Sequence, residues 1–179
     1  MWEPGSNVPR HLPHHWAGLA LTIAVVALDR VTKLWIEAKL GVYDTHEVIP
    51  GLFSIVHSEN RGMAFGLGND GATWFTRAIL IGVSVAVLGA LAYGVWHGKR
   101  AGSSGKATEA WALFLVAGGA IGNLYDRILR GSVTDFLDVY VGSYHWPTFN
   151  VADSAITIGA LILVIQAVRD DRKRKPLAA

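Results

Sequence analysis

Four stretches of this 179-residue chain, roughly 16–36, 73–96, 108–129 and 151–168, are apolar over close to the ~20 residues that a helix needs to cross a bilayer. They restrict the fold more than any other feature. A hydrophobic content of 51% and a mean hydropathy of +0.33 agree with membrane rather than with an ordinary soluble domain. The expected fold is an all-α membrane core of four transmembrane helices. The first stretch carries Asp29, Arg30 and Lys33 near one end, and no small-residue cleavage site follows it, so it reads as a span and not as a removable secretory signal.

The basic residues orient these spans. Lys99, Arg100 and Lys106 lie between the second and third, and Arg169, Arg172, Lys173, Arg174 and Lys175 follow the fourth. The longer connections, 37–72 and 130–150, carry only Lys39, Arg61 and Arg130. The positive-inside bias then puts both termini and the short middle loop in the cytoplasm and the longer connections outside. The chain reads as a single integral membrane domain over 1–179, with a Pro-rich mobile lead-in at 1–15 and a basic tail at 169–179. A net charge of +2 gives no reason to expect nucleic acid, and the tail suits an orientation signal in contact with membrane lipids. No internal repeat is visible, which weakens a transporter reading. In "EVIPGLFSIVHSENRGMAFGLG" a Pro-Gly turn separates short β-prone runs, which predicts a small extracytoplasmic β-rich platform at the membrane surface.

With no cysteine, thiolate chemistry is excluded, and the seven histidines show no metal-ligand spacing, so neither a metal nor a cofactor is expected. The outer side instead gathers Asp29 and Lys33, then Asn123, Asp126 and Arg127, then Asn150 and Asp153, with Asp135 from the second outer connection. Ionisable groups at membrane depth cost at least about 2.5 kcal/mol on insertion scales, so such a gathering is a functional candidate. Each residue also has a structural reading. Asp29 and Lys33, at i and i+4, suit an ion pair tying the first span to its neighbours. Gly118, Gly119 and Gly122 suit close helix packing, Arg127 suits a clamp, and its adjacency gives Asp126 a salt-linked role. Asp153 could simply favour a helix start.

"SVTDFLDVY" alternates like a strand, so Asp135 and Asp138 point to opposite faces. Two carboxylates held together would share a proton and could activate water for attack on an amide. A Ser-Lys dyad of Ser58 or Ser132 with Lys33 lacks a nucleophile motif. The competing readings are a four-helix proton or ion carrier using the polar cluster and a structural membrane scaffold.

Five blocks in order, "DRVTK" (29–33), "ENRGMAFG" (59–66), "GGAIGNLYDR" (118–127), "VTDFLDVY" (133–140) and "FNVADSAI" (149–156), resemble lipoprotein signal peptidase, the signal peptidase II family of bacterial inner-membrane aspartic proteases. The resemblance implies an endopeptidase that removes the signal peptide of diacylglyceryl-modified prolipoproteins on the amino side of the lipidated cysteine. It implies Asp135 and Asp153 as the catalytic pair near the periplasmic face, and Asn123, Arg127 and Asn150 as site-lining residues. Asn60 and Gly62 would belong to an outer loop covering substrate, and Asp29, Lys33 and Asp126 to a supporting polar cluster. A globomycin-type cyclic peptide would block the same site. The family block more often has valine where Thr134 precedes the aspartate; threonine keeps the β-branched shape and adds a hydroxyl that could contact the dyad or substrate.

Overall fold

The computed structural model describes residues 14–62, 74–98 and 106–174; most of the expected lead-in, part of the outer loop around 63–73 and the end of the basic tail lie outside these. Each apolar stretch is a helix: α1 (His14–Lys39), α2 (Trp74–Gly98), α3 (Lys106–Leu129) and α4 (Val151–Arg174). By length and apolarity three segments are able to cross a bilayer, Trp74–Tyr93, Thr108–Leu129 and Val151–Arg172, with mean hydropathies of 2.0, 1.3 and 2.0. α1 is as long, but its charged residues keep it out of that set.

α3 is the central helix, packed on α1 and α4, while α2 rests more lightly on α3. The glycines of α3 make this possible. A Cβ at Gly118 would press on Val25 and the Thr22 carbonyl of α1, and one at Gly119 would collide with the Ala152 carbonyl of α4. A Cβ at Gly122 would meet Asp29 Oδ2 at 2.8 Å. One face of α3 thus admits two backbones, as small residues do where lipid supplies no hydrophobic drive.

The connections build the expected small β-sheet, antiparallel and of order β1-β2-β3-β4, from β1 (Thr45–Ile49), β2 (Phe53–Asn60), β3 (Val133–Val141) and β4 (Tyr144–His145). The Pro50-Gly51 pair makes the first hairpin. Gly51 has φ +76° and Leu52 N donates to Ile49 O (3.0 Å), the type II arrangement that wants Pro then Gly at its centre. β2 and β3 set Ser58 opposite Asp135 and Asn60 opposite Val133, across an irregularity between Ile55 and Ser58. The sheet meets the bundle where α1 and α3 end and α4 begins, so all polar residues singled out above face one end of the helices.

Candidate active site

α4 begins at Asn150, a good N-cap because its short amide can reach back to the first turn. Asn150 Oδ1 accepts from Asp153 N (2.9 Å), and Asp153 Oδ2 accepts from Asn150 N (3.3 Å), a reciprocal capping box. Asp29 Oδ1 accepts from Ala152 N (2.9 Å), so a carboxylate of α1 satisfies another donor of the same helix end. The structural reading of Asp153 is therefore realised. It does not exhaust the residue, because Asp153 Oδ1 also accepts from Asn123 Nδ2 (2.7 Å) and the side chain remains only half-buried.

Asp135, on β3, is 2% exposed. Its Oδ1 accepts from Asn150 Nδ2 (2.7 Å) and its Oδ2 from Asn60 Nδ2 (2.9 Å). Both amide orientations are fixed from behind: Gly62 N donates to Asn60 Oδ1 (3.0 Å), as Asp153 N does to Asn150 Oδ1. Each NH2 must then face Asp135. Asn123 is fixed likewise, since Lys33 Nζ can only donate and does so to Asn123 Oδ1 (3.2 Å). Asn150 Nδ2 also approaches Asn123 Oδ1 (3.3 Å), so Asp135 and Asp153 are joined through two asparagines.

Burial, and next the negative charge of Asp153, push the Asp135 carboxyl up to about 7, against the hydrogen bonds from Asn60 and Asn150 and the charge of Lys33. Arg127 donates to the Asn123 carbonyl (3.4 Å), with its charge within electrostatic reach of Asp153 and Asp135.

Asp29, Lys33 and Asp126 form a buried cluster beside the pair. Lys33 Nζ lies 2.8 Å from Asp29 Oδ2 and 2.8 Å from Asp126 Oδ2, the latter an ion-pair approach without hydrogen-bond angles. Asp126 is thus salt-linked, but to Lys33 and to Arg30 (3.1 Å) instead of to its neighbour Arg127. Adjacent helical residues do not face one another. With Lys33 so engaged, and Ser132 Oγ donating to Glu59 (3.4 Å), the described contacts contain no Ser132-Lys33 dyad.

The Thr134 hydroxyl does not make the contact with the dyad that its position allowed: it hydrogen-bonds to neither carboxylate of the pair and donates to Glu37 Oε1 (2.8 Å), and Glu37 also pairs with Arg130 and, through Oε2, with Arg30. Strand alternation turns residue 134 away when 135 faces the site. Glu37 and Arg77, which ties the end of α3 through the Arg127 and Ile128 carbonyls (2.7 and 2.8 Å), are the structural residues that sequence reasoning missed. Glu37 had one available signal, its place one helical turn after Lys33 on the same face.

The family model described as signal peptidase (SPase) II matches residues 21–169, which include every residue of this network. The chain belongs to the signal peptidase II family. It is 44% identical to a lipoprotein signal peptidase of Solibacter usitatus over 88% of this chain and 94% of that one, and 41% identical to one of Geobacter sulfurreducens with the same coverage. Among solved structures, a bacterial membrane enzyme determined by the in meso method superposes with a TM-score of 0.77 at 30% identity, covering 92% of this chain and 94% of that one. This signal peptidase II family member is accordingly a membrane peptidase with a mostly helical body and a small antiparallel sheet.

Proposed function

We propose that this membrane peptidase removes signal peptides from diacylglyceryl-modified prolipoproteins, cleaving on the amino side of the lipidated cysteine with Asp135 and Asp153 as its catalytic pair. The observation that carries the reading is the junction of these two carboxylates through Asn150 and Asn123, with one of them buried and the other half-open. A carboxyl near 7 stays protonated in neutral conditions often enough to donate, which is what a shared-proton pair requires.

In this mechanism Asp153 accepts a proton from water while Asp135 donates its own to the scissile carbonyl oxygen. The water oxygen bonds to the carbonyl carbon. On collapse the C–N bond breaks, Asp153 returns a proton to the departing amine of the cysteine, and Asp135 recovers its proton from the new hydroxyl. Asn60 and Asn150 hold Asp135, Asn123 holds Asp153, and Arg127 supplies positive charge for the substrate backbone. Asn60 and Gly62 begin the outer loop that would cover the peptide. Substrate acyl chains stay in the bilayer, so anchoring supplies proximity, and a globomycin-type peptide would compete for the same space.

The same reading makes α1 the fourth span of one integral domain in the bacterial inner membrane, with both termini cytoplasmic and the pair near the periplasmic face. Support comes from the charges of α1: Asp29 and Lys33 are buried and mutually paired, so they need not meet lipid. Pairing with Asp126 also suits a supporting role better than a proton relay.

The test uses purified Asp135→Asn and Asp153→Asn in proteoliposomes with a lipidated precursor. Both variants should insert normally and leave the precursor uncleaved. Cleavage by either at the wild-type rate would refute the dyad, and pH-driven ion flux without any substrate would favour a carrier.

A further inference from the structure

The three arginines around the outer end of α2 are not used by the proposed chemistry. A cavity of about 410 Å³ opens between the end of β2, the start of α2 and the end of α3, lined by Glu59, Arg61, Trp74, Arg77, Arg130 and Ser132. Glu59 and Arg61 flank Asn60 in sequence yet border this cavity, on the other side of the strand from Asp135. Arg77 is held rigidly by its bonds to the last carbonyls of α3. Its Nη1 would lie 3.4 Å from a Cβ at Gly131, a residue with φ +85°, so the absent side chain leaves room beside the guanidinium.

Trp74 is 80% exposed and stands edge-on to the exposed Phe75 at the first turn of α2, no residue of whose apolar 20-residue segment is fully buried within the chain. Exposed aromatics at the end of a lipid-facing helix mark the headgroup level. The cavity therefore sits where lipid phosphates lie, and its rim is cationic.

We infer that this cavity is a site for the phosphodiester headgroup of an anionic phospholipid, with the acyl chains lying along the seam of α2 and α3. Arg130 is neutralised by Glu37 and Glu59 offsets Arg61, so among the described residues that line the cavity one net positive charge, on Arg77, remains to choose among lipids. Near a membrane surface such a charge corresponds to about fivefold in affinity. Ser132 Oγ, now 3.4 Å from Glu59, is placed to donate to a phosphate oxygen.

The full chain, purified in neutral detergent and delipidated, would be titrated with phosphatidylglycerol or phosphatidylcholine of identical acyl chains. Bound lipid is read by native mass spectrometry and the unfolding midpoint by tryptophan fluorescence. One phosphatidylglycerol per chain should be retained about fivefold more tightly than phosphatidylcholine. Arg61→Gln should abolish that preference and Glu59→Gln should increase it about fivefold; neither substitution touches a helix end, unlike Arg77→Gln. Arg169→Gln with Arg172→Gln, at the opposite end of the bundle, should change nothing. Equal retention of the two lipids, or a preference indifferent to Arg61 and Glu59, would overturn the site. Inorganic phosphate raising the midpoint as much as phosphatidylglycerol would overturn its assignment to lipid.

Discussion

Replacing Asp135 with asparagine should abolish peptide cleavage and, above neutral pH, make the protein relatively more stable. The unfolded carboxyl titrates near its ordinary 3.8, whereas in the folded chain burial and the charge of Asp153 raise it to about 7. Between these values the folded state holds a proton that the unfolded state has released. The stabilising effect is complete below about 4, and is lost as pH rises through about 7. Each pH unit in that window removes about 1.4 kcal/mol of stability, so the interval from pH 5 to pH 8 removes roughly 3 kcal/mol, most of it before pH 7.

Asparagine cannot ionise, so the variant lacks this slope. It does present an amide hydrogen to one of the two donors that now face Asp135, a cost of about 1–3 kcal/mol, but that cost is independent of pH and cancels in the comparison. The assay is reversible denaturation in mixed micelles at several pH values, followed by tryptophan fluorescence. The wild-type minus variant difference should fall by roughly 3 kcal/mol from pH 5 to pH 8. Asp153→Asn removes the nearby like charge, so the break in its profile should move to lower pH. Parallel profiles for wild type and Asp135→Asn would refute the argument, because a carboxyl with an ordinary titration contributes nothing to the slope in that range.

Three further substitutions separate support from chemistry. Lys33→Met leaves Asp29 and Asp126 buried without their shared cation and should cost about 3–5 kcal/mol, the penalty of breaking a buried pair; adding Asp29→Asn should recover part of it, and denaturation midpoints measure both. Thr134→Val removes the hydroxyl that reaches Glu37 and should cost about 1 kcal/mol while leaving precursor cleavage near the wild-type rate; a tenfold loss of cleavage would return that hydroxyl to the reaction. Gly119→Ala forces a methyl group against the Ala152 carbonyl, so α4 must shift. It should lose about 1–3 kcal/mol by overpacking and also slow cleavage, since Asp153 begins the displaced helix; unchanged kinetics would show that α4 tolerates the shift without moving its carboxylate.

The helices and the hairpin were legible because their signals are local. Apolar length marks the helical stretches, and Pro50-Gly51 specifies its own turn. The α1 ion pair was legible too, since i, i+4 spacing puts Asp29 and Lys33 on one face. What could not be read was pairing between elements: that Asp126 turns to Lys33 and Arg30, that Glu37 collects Arg130 and Thr134, and that Arg77 closes α3. These depend on helix rotation and on the register of β3, and the glycine-permitted approach of α1 and α4 to α3 sets both. Strand alternation did contain the direction of Thr134, since facing Asp135 toward the site already turns its neighbour away.

Asp153 shows why the structural and chemical readings of a polar residue need not compete. As the third residue after its cap it satisfies the Asn150 N–H and stabilises the start of α4, which any carboxylate there could do. The same bond fixes Asn150 so that its NH2 points at Asp135, and Asn123, pinned by Lys33, meets the remaining Asp153 oxygen. The cap thus sets the orientation of one amide and the buried cluster sets the other. A helix start and a pair of carboxylates are built from the same side chains, so a change that loosens the cap should disturb the pair before it unfolds the helix.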